Sequence, residues 1–134
     1  MPFHQLYVHL TFATAQRAPL IKVEVEQSLW SAVAAKSKEL ECEVLAVGGM
    51  PDHVHLLVEM PPKVSVSELV QGVKGASSHL MGHELCPGSS FKWQEGYGAF
   101  TLRKDEIAKV ARYIANQKEH HVRGLLSKLL ERAN

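Results

Sequence analysis

Residues 48–60 of the chain read Gly-Gly-Met-Pro-Asp-His-Val-His-Leu-Leu-Val-Glu-Met. Successive side chains of an extended strand point to opposite faces of a sheet. We therefore expect His53 and His55 to project from one face, with Val54 on the other. Two imidazoles side by side form half of a metal site, and a third ligand must come from elsewhere in the fold.

The sequence around this segment predicts a sheet. Four stretches have the residue pattern of strands: His4 to Thr14, Glu43 to Val47, His53 to Glu59 and Phe91 to Leu102. Gly48, Gly49 and the Pro51-Asp52 pair are typical turn residues, so we expect the second and third strands to form a hairpin.

Helical patterns separate and follow these strands. The predicted helices are Lys22 to Leu40, Ser65 to about Gly82, one that begins at Asp105 or Glu106, and a short one from Val122 to Arg132. Ser65 with Glu68 three residues later has the pattern of a capping box. The order of elements predicts an α+β fold, a ferredoxin-like (split βαβ) sandwich, with an antiparallel sheet, helices on one face and a C-terminal tyrosine-bearing helix.

Length and composition favour an ordinary globular protein. The chain has 134 residues, 46% hydrophobic and 22% charged, which predicts a single domain over residues 1–134. The sequence contains neither a signal-peptide pattern nor an apolar run of the roughly 20 residues that a membrane helix needs, so we expect a cytoplasmic protein. Cys42 and Cys86 are isolated from each other and are expected to be reduced.

Formal net charge is only +1, but the charge is unevenly distributed. The region after Thr101 is basic, with Arg103, Lys104, Lys109, Arg112, Lys118, Arg123, Lys128 and Arg132 against four acidic residues. A basic C-terminal third is a weak indication of a phosphate-bearing partner, and a solvated helix face explains it equally well.

The helix that begins near Glu106 offers a third ligand. Tyr113 and Gln117 are four residues apart and therefore lie on one face of that helix, at the flank of its apolar stripe. Gln117 has an amide oxygen that can bind a metal ion, and Tyr113 would hold a phenol close to it. Each residue alone also has an ordinary structural explanation, because a histidine pair, a packed tyrosine and a surface glutamine are common.

Two imidazoles and one amide oxygen leave coordination positions open, as in a catalytic site. This ligand set suits a divalent ion such as Mg²⁺ or Mn²⁺, with Zn²⁺ as an open alternative. Such an ion can polarise a phosphoryl oxygen and orient a phosphate for in-line attack. A phenol, with a pKa of about 10, needs this help to act as a nucleophile at neutral pH.

Several blocks of the chain carry a resemblance to a known family. They are residues 4–17, His-Gln-Leu-Tyr-Val-His-Leu-Thr-Phe-Ala-Thr-Ala-Gln-Arg; residues 51–58, Pro-Asp-His-Val-His-Leu-Leu-Val; residues 74–78, Lys-Gly-Ala-Ser-Ser; residues 93–100, Trp-Gln-Glu-Gly-Tyr-Gly-Ala-Phe; and residues 113–121, Tyr-Ile-Ala-Asn-Gln-Lys-Glu-His-His. In these blocks the chain resembles the single-tyrosine HUH transposases of the insertion-sequence 200/605 group, nearly from end to end.

The resemblance implies a role for each site residue. His53, His55 and Gln117 would bind the divalent metal, and Tyr113 would attack a phosphodiester in single-stranded DNA. The products would be a 5′-phosphotyrosine linkage and a free 3′-hydroxyl, with no nucleotide cofactor. Family members recognise hairpins near the ends of the element and work as homodimers with joined sheets.

The sequence also suggests DNA contacts. Candidates for phosphate contacts are Arg17, Lys74, Lys92, Arg103 and Lys104. Tyr97 and Trp93 are candidates to stack on an unpaired base, although Trp93 fits a hydrophobic core better.

Two other functions are consistent with parts of the pattern. A histidine-triad nucleotide hydrolase also carries His-hydrophobic-His on a strand, but its chemistry needs a further alternate histidine where this chain has Leu57. A catalytically silent DNA-hairpin-binding regulator, descended from a transposase, would be expected to tolerate loss of the residues that are intact here.

Overall fold

Strands β1 (Tyr7–Ala13), β2 (Glu43–Met50), β3 (His53–Glu59) and β4 (Gly98–Thr101) form one antiparallel sheet in the order β2-β3-β1-β4. This arrangement comes from a computed structural model, which describes residues 3–117. The helices are α1 (Glu26–Glu39), α2 (Val66–Leu80) and α3 (Ile107–Ala115). The chain order β1-α1-β2-β3-α2-β4 with this sheet order is the split βαβ arrangement, so the predicted fold class is confirmed.

One face of the sheet carries the main hydrophobic core. Alternate residues of the two central strands point to this face and pack against α1 and α2: Val8, Leu10, Phe12, Val54, Leu56 and Val58. The predicted capping box at the start of α2 is confirmed, because Ser65 Oγ accepts from the Glu68 amide at 3.1 Å and Glu68 Oε1 accepts from the Ser65 amide at 2.9 Å. The C-terminal end of α2 continues into a π-helical turn, Met81–Leu85.

The opposite face of the sheet carries most of the polar residues of the central strands. Because side chains alternate, His9, Thr11, His53 and His55 share this face with Leu57. Helix α3 packs here, with Tyr113 and Ile114 against Leu57 in a second hydrophobic cluster. The predicted tyrosine-bearing helix therefore covers the histidine face of the sheet.

Two details of the predicted sheet are wrong. Gly48 and Gly49 were expected in a turn but lie inside β2, and only Pro51 and Asp52 form the turn. Side chains are excluded there for a packing reason: a Cβ at Gly49 would lie 2.1 Å from the His53 carbonyl oxygen.

The last strand is shorter than predicted, since only Gly98–Thr101 of the stretch from 91 to 102 forms β4. The preceding residues form a loop that is tied to its neighbours. The Gln94 amide donates to the Ala13 carbonyl at 2.8 Å, and Lys74 Nζ donates to the carbonyls of Gln94 and Gly96 at 2.7 Å. These contacts replace strand pairing over most of the loop.

Within residues 3–117, no helix has the length and apolarity to cross a membrane. The predicted helix from Val122 to Arg132 and the basic residues from Lys118 onward lie outside the described residues.

Candidate functional site

His53 and His55 lie at the start of β3, on the face that α3 covers. Both imidazoles are fully buried, and their ring centroids are 5.1 Å apart in an edge-to-face arrangement. The strand geometry predicted from the His-Val-His spacing therefore brings the two rings together on one face. Buried imidazoles need hydrogen-bond partners, and the structure provides a different one for each ring.

The partner of His53 is the preceding residue, Asp52. Asp52 Oδ1 lies 2.7 Å from His53 Nδ1, so the carboxylate accepts a hydrogen bond from that nitrogen and leaves Nε2 as the ring nitrogen that could bind a cation. Arg17 completes this group, with Nε 3.3 Å from Asp52 Oδ2 and Nη2 3.2 Å from His53 Nδ1. Burial would raise the pKa of Asp52, but the hydrogen bond and charge of His53, followed by the charge of Arg17, outweigh it and lower that pKa.

The partner of His55 is His9, from the neighbouring strand β1. His9 Nε2 lies 2.8 Å from His55 Nδ1, and the two rings stack with centroids 5.0 Å apart. Burial, and then the charge of His55, lower the pKa of His9 to about 3, so His9 is neutral in the physiological range.

Arg17 reaches Asp52 from a strained loop after β1. Gln16 and Arg17 both have left-handed backbone conformations, with φ of 56° and 53°, which cost about 1–2 kcal/mol per non-glycine residue. The Gln16 amide donates to Gln94 Oε1 at 3.0 Å, and the Arg17 amide donates to the Thr14 carbonyl at 2.9 Å. These hydrogen bonds hold the loop in the conformation that places the guanidinium beside the histidine pair.

Tyr113 lies on α3, whereas Gln117, predicted on the same helix, lies two residues after its end at Ala115. The Tyr113 ring is 5% exposed and meets the His55 ring edge to face, with centroids 5.5 Å apart. Gln117 is 2% exposed, and its Nε2 donates to Tyr113 Oη at 3.5 Å, the outer limit of a hydrogen bond. Tyr113 therefore lies beside His55, and Gln117 lies beside Tyr113, within a single chain.

Gly48 permits the close approach of α3. It is paired with His55 across the β2–β3 ladder, and a Cβ at this position would lie 2.9 Å from the Ile114 carbonyl oxygen. That distance is too short for an unstrained contact, so only glycine lets the helix backbone lie this close to the strand. A cleft of about 380 Å³ opens beside this contact, between α1 and the end of α3, with Gln117 in its lining.

The residues of this site fit a divalent cation. Asp52 and His9 each engage the Nδ1 of one histidine, which is the outer-sphere arrangement typical of metal-binding imidazoles. In residues 3–117 no three histidine, cysteine, aspartate or glutamate side chains are grouped to hold a metal ion. Gln117, the predicted third ligand, carries a buried amide beside Tyr113, and its role as a metal ligand stays a prediction.

Sequence reasoning missed Asp52 and His9 as members of this site. Asp52 was interpreted as a turn residue, although its position next to His53 was a usable signal. His9 was interpreted as one of the polar residues that alternate along β1. Only the strand register brings it beside His55, because Thr11, two residues later, is the direct partner of His55.

The predicted DNA contacts fall in two places. Arg17 is beside His53, and Lys92 and Lys74 are linked to the same end of the sheet by the loop before β4. Arg103 and Lys104 follow the other end of β4, since the Leu102 amide donates to the Tyr7 carbonyl. The structure does not bring these two to the histidine pair, and a DNA contact from any of the five stays a prediction.

Trp93 is a core residue. Its ring is 7% exposed and packs edge to face on Phe12 and Phe91, and its Nε1 donates to Ser77 Oγ at 3.0 Å. The interpretation of Trp93 as a core residue, favoured over base stacking, is therefore confirmed.

Comparisons with a family model and with individual proteins all match the chain to transposases. Residues 2–117 match the family model described as transposase IS200 like. The chain is 28% identical over 123 residues to the ISDra2 transposase TnpA of Deinococcus radiodurans, covering 87% of this chain and 86% of that protein. It is 32% identical over 122 residues to the transposase for insertion sequence element IS200 of Salmonella typhimurium, covering 87% of this chain and 79% of the relative.

Solved structures give the same picture of the fold. A candidate transposase from Deinococcus radiodurans superposes with a TM-score of 0.70 at 28% identity, over 87% of this chain and 93% of that chain. A REP-associated tyrosine transposase, solved with a REP hairpin bound to it, superposes with a TM-score of 0.67 at 18% identity, over 90% of this chain and 72% of that chain. The second likeness bears on the fold alone.

Proposed function

The chain belongs to the IS200-like transposase family, a family of DNA-processing enzymes, and on that premise we propose that it cleaves and rejoins single-stranded DNA through Tyr113. The observation that carries the proposal is the position of this phenol, buried on the same sheet face as His53 and His55 and 5.5 Å from the His55 ring. A tyrosine in this position can reach a phosphate held at the two imidazoles.

The proposed reaction is a transesterification. Tyr113 Oη loses its proton and attacks the phosphorus in line with the departing 3′ oxygen. The Oη–P bond forms, the P–O3′ bond breaks, and the 3′ oxygen takes up a proton to leave as a hydroxyl. Attack of a 3′-hydroxyl on the 5′-phosphotyrosine then restores the DNA strand and frees the phenol, so no nucleotide cofactor is consumed.

The residues around the phenol support this chemistry. Gln117 Nε2 donates toward Tyr113 Oη, and such a hydrogen bond favours the charge that develops on the oxygen as the proton leaves. The other end of the amide is an oxygen with the chemistry of a hard-cation ligand. Gln117 is thus proposed to serve the metal and the nucleophile together.

His53, His55 and Gln117 are proposed to hold Mg²⁺ or Mn²⁺. When bound, the ion would supply Lewis-acid polarisation of the scissile phosphate. Two contacts support this proposal: Asp52 orients the His53 imidazole, and the Gln117 amide lies beside Tyr113. Arg17, beside His53 and partly exposed, is proposed to contact a phosphate of the same strand.

A covalent-adduct assay tests the nucleophile. Purified protein is incubated with Mn²⁺ and a single-stranded oligonucleotide that carries a hairpin near the cleavage position, and denaturing electrophoresis detects a protein–DNA adduct. We expect Tyr113→Phe to form no adduct and to lose cleavage by roughly 10³-fold or more, because the ring stays packed while the attacking oxygen is removed.

Tyr7→Phe is the matched control, since Tyr7 lies at the far end of β1 and the same atom is removed there. If Tyr113→Phe and Tyr7→Phe form adducts at equal rates, Tyr113 is not the nucleophile. If the wild-type protein binds the hairpin but never forms an adduct with any metal, the silent hairpin-binding regulator becomes the better description.

The proposal includes a homodimer with joined sheets. β2 and β4 are the edge strands of the sheet described here and are the places where a second sheet could add. Light scattering on the eluting protein measures the mass in solution, and a monomer at all concentrations would contradict this part of the proposal.

A further inference from the structure

His9 is a buried histidine that the proposed reaction does not use. It is 2% exposed, in the middle of β1, and its Nε2 is 2.8 Å from His55 Nδ1. Its ring stacks on His55 on one side and lies 5.8 Å from the Phe100 ring on the other. A residue held this firmly against a proposed metal ligand can control how that ligand presents its nitrogens.

The 2.8 Å contact joins two imidazole nitrogens and therefore contains one proton. If His9 Nε2 carries it, His55 Nδ1 is the acceptor, and the single N–H proton of the neutral His55 ring must be on Nε2, where it blocks metal binding. If His55 Nδ1 carries it, His9 Nε2 is the acceptor and His55 Nε2 has a lone pair for the cation. His55 Nδ1 faces His9 in both cases, so Nε2 is the nitrogen that a cation would use.

We propose that His9 is a positioning residue that accepts a hydrogen bond from His55 Nδ1 and so fixes His55 in the tautomer whose Nε2 binds metal. This inference rests on the proposed metal role of His55. In this proposal β1 contributes a residue to the site. The neutral imidazole of His9 accepts a hydrogen bond from His55 Nδ1, as the Asp52 carboxylate accepts one from His53 Nδ1. The two ligands then differ in basicity, since a carboxylate raises the basicity of its histidine more than an imidazole does.

The first test is made on the metal-free wild-type protein. Nitrogen-15 NMR of the histidine rings distinguishes a protonated ring nitrogen from one with a lone pair. We expect His55 to carry its proton on Nδ1 and His9 to have an unprotonated Nε2. A proton on His55 Nε2, unchanged when Mg²⁺ is added, would overturn the inference.

The second test compares two substitutions at His9. Glutamine places an amide oxygen close to the position of the imidazole Nε2 and keeps an acceptor, whereas leucine fills the space and removes it. We expect His9→Gln to bind Mn²⁺ within about 3-fold of wild type and His9→Leu to bind it about 10–100-fold more weakly, the range for loss of an outer-sphere partner. Electron paramagnetic resonance of free Mn²⁺ measures the affinities.

A third readout separates positioning from general damage to the fold. DNA cleavage by His9→Leu should recover as Mn²⁺ is raised, because the defect is in metal affinity, while Tyr113→Phe should stay inactive at every concentration. Circular dichroism shows whether each variant is folded. Equal Mn²⁺ affinity of wild type and His9→Leu would contradict the role of His9.

The outcomes distinguish this inference from the proposed function. A wild-type protein that binds no Mn²⁺ contradicts the metal part of the proposed function and with it the metal-binding role of this tautomer. A wild-type protein that binds Mn²⁺ and cleaves DNA, together with an unaffected His9→Leu variant, contradicts only the inference about His9.

Discussion

The two histidines of the site are chemically alike in the sequence but differ in their surroundings. His53 Nδ1 meets a carboxylate that also pairs with Arg17, and His55 Nδ1 meets another imidazole. Outer partners of this kind decide which ring nitrogen is available and how strongly it donates to a cation. The metal affinity of the site is therefore expected to depend on Asp52 and His9, neither of which would contact the ion.

Replacing Asp52 by asparagine tests whether metal affinity depends on the hydrogen-bond partner of His53. The amide side chain keeps an oxygen acceptor of nearly the same shape but removes the negative charge, so the His53 ring stays in place and becomes less basic. We expect Mn²⁺ affinity to fall about 10–100-fold, measured by titration calorimetry or electron paramagnetic resonance.

Asp105→Asn is the matched control for Asp52→Asn. Asp105 also forms an ion pair with an arginine, at 3.2 Å, but it lies in an exposed segment before α3. An equal loss of Mn²⁺ affinity in the two variants would mean that net charge, and not the contact with His53, is the cause.

At the scale of elements, the docking of α3 on β2 decides where the phenol lies. The Ile114 backbone approaches Gly48 so closely that a methyl group there would sit 2.9 Å from a carbonyl oxygen. Tyr113 directly precedes Ile114 on the helix and Gln117 follows the end of the helix, so a shift of α3 moves both residues relative to the histidines. One glycine in the strand thus links sheet packing to the geometry of the site.

Gly48→Ala is expected to displace α3 by a few tenths of an ångström. Overpacking of this kind costs about 1–3 kcal/mol of the free energy of unfolding. Cleavage is expected to fall by roughly 10–100-fold, because displacements up to about 1 Å can reduce rates by about 10²-fold. Urea denaturation measures the stability, and single-turnover cleavage at saturating Mn²⁺ measures the rate.

Gly75→Ala provides the comparison for Gly48→Ala. Gly75 lies inside α2, and a Cβ there meets nothing within 4 Å. Alanine at this position is expected to stabilise the protein by about 0.5–1 kcal/mol and to leave cleavage unchanged. A Gly48→Ala variant with full activity and normal stability would contradict the packing argument.

At the scale of the whole molecule, the sheet has two ends with different roles. Arg17 and the loop before β4 lie at the end that holds His53, while Arg103 follows the opposite end of β4. The Arg17 side chain is 44% exposed beside the site, whereas that of Arg103 is 76% exposed and paired with Asp105. We therefore expect a DNA strand at the histidine pair to contact Arg17 and not Arg103.

The salt dependence of DNA binding tests this asymmetry. Each phosphate contact on single-stranded DNA contributes about 0.7 to the slope of log affinity against log salt. We expect Arg17→Gln to reduce the slope by about that amount and Arg103→Gln to leave it unchanged, as measured by fluorescence anisotropy over a range of salt. Equal slopes for the two variants would contradict this asymmetry, because the DNA would then contact both ends of the sheet or neither of them.

Much of the fold could be predicted because local patterns encode it. Alternation of apolar residues predicted β1, the turn residues Pro51 and Asp52 predicted the return into β3, and the capping box at Ser65 predicted the start of α2. The prediction of a turn at Gly48 and Gly49 is wrong, because glycine favours turns locally, whereas here Gly48 makes room for Ile114, far along the chain, and Gly49 for the adjacent strand at His53.

The sequence by itself determined that His53 and His55 share a face, because a strand has a period of two, and it identified Tyr113 and Gln117 as candidates by their spacing of four residues. Only the tertiary structure decided that α3 lies on the histidine face, that Gly48 lets it approach, and that His9 meets His55. The reason is that strand register and helix docking follow from the packing of distant segments, and no local period contains that information.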